Sequence, residues 1–189
     1  LAERAAKLGV ELFVVDDGWF GARNNDHAGL GDWYVNKQKF PNGLKPLIER
    51  VNALGMKFGL WFEPEMINPD SDLYRAHPDW AMQFPGRPRS EARHQLVLNM
   101  ARDDAKEHIF TALDRLLSEN NIEFIKWDMN RPFAEPGWAA VPLDEQRLVP
   151  AIPFVGRQGA HLGGLHQVCV HVEGHRRGRR HRRAMRLHG

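Results

Sequence analysis

Hydrophobic positions in this chain alternate between two patterns. Short runs beginning at Glu11 (ELFVV), Lys57 (KFGLWF), Gln95 (QLVLN) and Glu123 (EFIKW) are too brief for buried helices and read as strands that are apolar on both faces. Between them the spacing changes to helical. Leu44, Leu47, Ile48, Val51 and Leu54 line one face and Gly55 closes the segment; Ile109, Leu113, Leu116 and Leu117 line one face of a helix opened by Asp103. Leu1 to Leu8 reads as a helix stopped by Gly9. Ser71 reads as the cap of a short helix through Ala76, which Pro78 ends. The Gly-, Asn- and Asp-rich stretch from Gly21 to Asn42 and the segment PGRPRSEAR read as loops. The predicted order is helix then strand, four times over.

This alternation predicts a parallel sheet wrapped by helices, either a (β/α)8 barrel or a doubly wound sheet. The polar residues favour the barrel. Asp16-Asp17, Glu63-Pro64-Glu65, Asn99 and Asp128-Met129-Asn130 each follow a predicted strand, and a barrel gathers its functional groups from several strands at that rim. A doubly wound sheet concentrates its site at one crevice, usually with a Gly-rich phosphate turn. No GxGxxG and no Walker A pattern occurs, which argues against a nucleotide site.

Composition alters this picture at one place. With 189 residues, 42% hydrophobic and 26% charged, the chain has ordinary globular usage, which excludes disorder over most of its length. The single cysteine, Cys169, excludes an internal disulfide and a cysteine-based zinc site. No apolar run approaches the roughly 20 residues that span a bilayer. No secretory pattern opens the chain, so a cytoplasmic location is expected, and Leu1 in place of methionine implies that the true N-terminus lies upstream. The net charge of +2 conceals a break. Leu1 to Glu135 carries 17 Lys and Arg against 21 Asp and Glu, a net of −4, while Pro136 to Gly189 carries 9 against 3, a net of +6. Those later cations are all arginine, and six of the ten histidines lie between His161 and His188. The expected division is a folded domain over 1–147 and a basic tail over 148–189, irregular in structure, with the composition of a disordered or out-of-frame segment.

Several rim residues carry candidate chemistry. Asp128 ends an apolar strand and shares a strand face with Lys126, whose charge would favour the ionised carboxylate; a structural ion pair is the alternative. Asp16 and Asp17 suit either sugar hydroxyls, a divalent metal or a turn. Trp19, Trp61 and Trp127 sit at or beside strand ends, where an aromatic face could stack on a sugar or simply fill the core. Glu63 and Glu65 form a second carboxylate pair that could equally be turn residues. Arg87, Arg89 and Arg93 form a basic loop. The tail arginines could bind nucleic acid electrostatically, and HVEGH (171–175) has the wrong order for a zinc protease motif.

The segments ELFVVDDGWFGARNND, LGDWYVNKQKFPNGLKPLIERVNALGMKFGLWFEPEMINPDSDLYRAHPDW, PGRPRSEARHQLVLNMAR and IKWDMNR together resemble the bacterial α-galactosidases of glycoside hydrolase family thirty-six, from Leu1 to about Arg147. The resemblance implies a TIM barrel, here a partial (β/α)8 barrel of roughly half the ring. It implies retaining hydrolysis of terminal α-galactosides such as melibiose and raffinose. It assigns Asp128 as the nucleophile, Asp16 and Asp17 to the galactose 4- and 6-hydroxyls, Trp61 to a sugar-packing wall, and Arg93, Lys126 and Asn130 to the remaining hydroxyls. It implies no cofactor and no metal, α-galactoside oligosaccharides as partners with neither nucleic acid nor membrane, and homo-oligomers among full-length relatives.

The departures from that family are specific. A retaining glycosidase needs a second carboxyl group about 5–5.5 Å from the nucleophile. The family's acid/base aspartate lies downstream, in an SD-x-x-D type segment behind a Cys-x-Gly-Gly-Gly type loop, and neither pattern occurs in this sequence. The acid/base is thus expected to be absent from the chain, which alone would be inactive. The competing readings are a raffinose-synthase-like transglycosylase, against which the WFEPEM and KWDMNR segments argue, a non-catalytic galactoside-binding module, and a nucleic-acid binder led by its tail.

Overall fold

Helix α1 (Ala2–Lys7) runs out at Gly9, whose φ of 78° is a left-handed conformation that glycine adopts without penalty. The chain then enters β1 (Leu12–Val15). The computed structural model describes residues 1–131, 137–142, 144–145, 168–171 and 186–188. After β1 a long irregular stretch leads to α2 (Lys45–Ala53), started by Pro46 in its first turn and buried through Ile48 and Val51. Strand β2 (Lys57–Phe62) is buried from its second residue onward. Next come β3 (Met66–Ile67), α3 (Asp72–Ala76), a single 3-10 turn (Pro78–Trp80), β4 (Leu96–Val97), α4 (Asp103–Glu119) and β5 (Phe124–Trp127). Ser71 caps α3 as its sequence position predicts, its Oγ accepting the Tyr74 N–H at 3.0 Å. The inward face of α4 is Ala105, Ile109, Leu113, Leu116 and Leu117.

Strands β1, β2 and β5 are parallel neighbours in that order. β2 lies at the centre, and Gly59 is required there. A Cβ would come within 2.9 Å of Val14 Cγ2 on one side and 3.2 Å of Phe124 Cβ on the other. The flanking Phe58, Leu60 and Phe62 are fully buried, worth about 2–3 kcal/mol apiece in transfer free energy. An aromatic cluster closes the core next to the C-terminal ends of these strands. Trp33 packs on Phe62 at 4.1 Å and on Phe20 at 4.5 Å between ring centroids, and Phe20 lies parallel to Trp61 at 6.0 Å.

The structure corrects the sequence reading in three respects. The QLVLN run is extended, but β4 does not join the parallel sheet. It pairs antiparallel with β3 in a separate two-stranded ribbon, Met66 opposite Val97 and Ile67 opposite Leu96. Only two residues on each side are paired, too few to span a layer beside β2 and β5. Among the described residues, three parallel strands are therefore present where four were expected. Second, β1 is half-buried at all four residues and not doubly buried, because it forms the edge of the described sheet. Third, the stretch expected to be irregular contains two short strands. β6 (Val168–His171) pairs antiparallel with β5, and β7 (Arg186–His188) pairs antiparallel with β6. The other residues of the 148–189 tail lie outside the described residues. No helix among the described residues is long and apolar enough to cross a membrane.

Candidate active site

Register decides which rim residues meet. Val15 pairs with Leu60, and Leu60 with Ile125; one step further, Trp61 pairs with Lys126, and Phe62 with Trp127. Continued past the strand ends, this places Asp16 beside Trp61 and Lys126 in one row, and Glu63 beside Asp128 two residues on. Side chains two apart share a face, so both rows project to the same side. All of these are C-terminal ends of parallel strands.

Contacts follow that order. Trp61 Nε1 donates to Asp128 Oδ2 at 3.0 Å, and the Met129 N–H donates to Asp128 Oδ1 at 3.0 Å. Both carboxylate oxygens are thus held by donors. The Asp128 N–H donates to the Phe62 carbonyl at 2.9 Å, which anchors the backbone of this residue to β2. Trp61 is 3% exposed and covered by Phe20 and Trp33, so in this structure its ring is core and its indole N–H is the part that faces the site. Its backbone carbonyl accepts the Trp19 indole N–H at 2.9 Å.

Lys126 does not take the partner that its own strand suggested. Its Nζ lies 2.7 Å from Asp16 Oδ2, across β2 from its own strand. Burial pushes the Asp16 carboxyl up, but the Lys126 hydrogen bond, the Asp17 N–H at 2.9 Å and the Lys126 charge together hold it below the usual carboxylate range. Lys126→Met is therefore expected to raise the Asp16 titration midpoint, read by carboxyl carbon NMR. An unchanged midpoint would show that the ion pair is not formed in solution.

Glu63 and Glu65 are fixtures of this site whose burial the sequence did not reveal. Both are 1% exposed. Glu63 Oε1 accepts the Asn130 N–H at 2.6 Å, which locks the residues after Asp128 onto the end of β2. Glu65 accepts the Trp127 indole N–H at 2.9 and 3.0 Å on its two oxygens. Burial is the main force on both, pushing each carboxyl up to about 7. For Glu63 the Asn130 N–H opposes this and the Asp128 charge adds to it; for Glu65 the Trp127 N–H opposes it, and Glu63 and Asp128 add to it. The signal in the sequence was a pair of carboxylates directly after a strand that reads as apolar on both faces, in WFEPEM.

The other arm of the rim is built around Arg23, which sequence reasoning missed altogether. Its buried guanidinium grips Asp17 through Nε at 2.8 Å and NH2 at 2.7 Å, a forked arrangement. NH1 donates to Asn68 Oδ1 at 3.1 Å and to the Ala28 carbonyl at 3.2 Å. Asp17 is thus held by Arg23, and Asp128 by Trp61 and the Met129 N–H. Arg93 is exposed, and its NH1 donates to the Asn130 carbonyl at 3.1 Å. Of the residues singled out from sequence, Asp16 and Lys126 are joined directly, as are Trp61 and Asp128, and Arg93 and Asn130. A cleft of about 540 Å³ between α3, α4 and the 31–34 loop is lined by none of these residues.

Comparison with known proteins places this arrangement in a family context. The melibiase family model matches residues 1–153. The chain is 54% identical over 137 residues to an α-galactosidase of Escherichia coli, covering 72% of this chain and 19% of that protein. Among solved structures, the GH36 α-galactosidase AgaB from Geobacillus stearothermophilus superposes with a TM-score of 0.75 at 53% identity, over 78% of this chain and 20% of that one. A variant of AgaA from the same organism, solved in complex with raffinose, superposes with a TM-score of 0.74 at 51% identity, over 78% of this chain and 21% of that one. The chain thus spans about a fifth of the length of the curated relatives that it matches.

Proposed function

Because the chain belongs to the melibiase family, we propose that it is the nucleophile-bearing segment of a retaining α-galactosidase acting on terminal α-D-galactosides of the melibiose and raffinose type. In this reading β1, β2 and β5 are strands of a (β/α)8 barrel, of which the chain supplies a part. The parallel register supports that, as does the gathering of Asp16, Glu63 and Asp128 at one end of the strands.

The observation that carries the proposal is the pair of donors on Asp128, Trp61 Nε1 and the Met129 N–H. They orient the carboxylate from the strand end toward the site. Asp128 attacks the anomeric carbon of the galactoside. The bond from that carbon to the leaving oxygen breaks, and a covalent galactosyl ester forms on the aspartate. Its later hydrolysis by water regenerates the carboxylate. Asp16, kept anionic by Lys126, and Asp17, kept in place by Arg23, would accept hydrogen bonds from the galactose 4- and 6-hydroxyls. An acceptor aimed at an axial 4-hydroxyl loses that hydrogen bond when glucose, with its equatorial 4-hydroxyl, takes the place of galactose. Lys126, Asn130 and Arg93 would bind the remaining hydroxyls, while Trp61, whose ring is buried, acts through its indole N–H on Asp128.

The test is trapping of the intermediate. The chain is incubated with an activated α-galactosyl donor whose deglycosylation is slowed, and its peptides are mapped by mass spectrometry. A galactosyl adduct on Asp128, absent in Asp128→Asn, is expected. An adduct on another carboxylate would overturn the assignment.

A further inference from the structure

Two loops that flank the rim bring a second set of donor side chains together. Asp26 and His27 come from the loop after Arg23, and His94 from the loop after Arg93. The three are exposed, and their ligating atoms all lie within 4.8 Å of one another. The two imidazole centroids are 3.5 Å apart with a 31° tilt, and Asp26 Oδ1 is 3.3 Å from His27 Nε2. Glu91 Oε1 stands 3.6 Å from His94 Nδ1.

The convergence is built into the backbone. Arg93 and His94 are the only non-glycine residues with positive φ among those described, at 55° and 59°. Such conformations cost roughly 1–3 kcal/mol each and persist where the surroundings enforce them. Asn68, which is fully buried, supplies the enforcement. Its Nδ2 donates to the His94 carbonyl at 2.7 Å and to the Asp26 carbonyl at 3.3 Å, while its Oδ1 accepts from the Leu30 N–H at 2.8 Å and from Arg23. One buried amide thus clamps the two loops at the residues that carry the donors.

We propose that Asp26, His27 and His94 form a binding site for a divalent transition-metal ion of the zinc class, which clasps the Arg23 loop to the Arg93 loop. Two imidazole nitrogens and one carboxylate oxygen are the donor set that zinc-like ions favour; calcium and magnesium favour oxygen ligands. Ligand bonds of about 2.0–2.2 Å put neighbouring donors of a tetrahedral site about 3.4 Å apart. Donors as far as 4.8 Å apart must therefore close by up to about 1.4 Å, and the two imidazoles, whose centroids are 3.5 Å apart, must turn so that one nitrogen of each points at the ion; exposed side chains can do this by rotamer change with the clamped backbone in place. Glu91 Oε1, 3.6 Å from His94 Nδ1, would have to close to hydrogen-bond distance to orient that ring in the manner of carboxylate–histidine–metal triads. Water fills the fourth position. The site is independent of the galactoside reading, and the ion would brace the arm that positions Asp17 against the arm that reaches Asn130.

The test is zinc titration of the full 189-residue chain by calorimetry. His27→Ala and His94→Ala are compared with His171→Ala/His175→Ala, which controls for the histidine-rich tail. One zinc equivalent is expected to weaken by about tenfold or more in each loop variant and to be unchanged in the tail variant. Cobalt should give a four-coordinate visible spectrum that is lost in the same loop variants, and zinc should raise the melting temperature of the parent but not of those variants. Zinc affinity and cobalt spectrum unaffected by His27→Ala and His94→Ala, or no zinc bound, would overturn the proposal.

Discussion

The purified 189-residue chain is expected to leave melibiose uncleaved. Galactoside cleavage by Asp128 needs a proton for the departing sugar oxygen, and no segment of this sequence matches the family's acid/base motif. General acid catalysis is worth about 10²–10⁴-fold, and its loss weighs most on a poor leaving group such as a sugar alkoxide. Two described carboxyls hold their protons to about 7, Glu63 and Glu65. Neither can serve, because each is 1% exposed and engaged with Asn130 or Trp127. A nitrophenyl α-galactoside needs little protonation and should be cleaved slowly, with Asp128→Asn abolishing even that. The measurement compares both substrates with parent, Asp128→Asn and Glu63→Gln chains. Melibiose hydrolysis that depends on Asp128 would show that an acid is present in this sequence after all.

Raising the pH is expected to destabilise the chain through Glu63 and Glu65. Unfolded, both ionise near their ordinary value of 4.5; folded, both hold the proton to about 7. Their stabilising effect is complete below the unfolded value. It declines as the pH rises between the two values, because there the unfolded state releases protons that the folded state keeps. Above about 7 both are ionised in the core and the full cost is present. A shift of this size is worth about 3 kcal/mol for one group. Since part of the rise at Glu65 is repulsion from Glu63, the pair contributes less than twice that. Urea midpoints measured from about pH 5 to about pH 8 should fall, and fall less steeply in Glu63→Gln and Glu65→Gln. An equally steep fall in both variants would place the pH dependence elsewhere.

Local periodicity carried much of the fold. KFGLWF became a strand over Lys57–Phe62, and the Ile109, Leu113, Leu116 and Leu117 spacing became the buried face of α4, because a strand's two-sided burial and a helix's stripe are both written in adjacent residues. Some helix ends were legible for the same reason, as with Gly9 after α1 and Ser71 before α3. Asp16, Asp17 and Asp128 were recognisable as rim groups because polar residues directly after apolar strands have few other places to be.

Partner choice was not legible. QLVLN is extended as its composition requires, yet its partner is Met66–Ile67 and not β2 or β5, a pairing between segments about 30 residues apart that no local pattern encodes. Lys126 has a carboxylate two residues away on its own strand but bonds one on β1, because the register of three strands brings Asp16 within 2.7 Å. WFEPEM announced two carboxylates without saying that packing would bury both and raise their pKa values; that followed only once β5 and its Trp127 indole lay against them. Neighbours along the chain determined the three parallel strands, the four α-helices and the kinds of group at the rim, but not the short strands β3, β6 and β7. Tertiary structure alone decided which groups face one another and how dry they are, since distance and dielectric depend on neighbours in space.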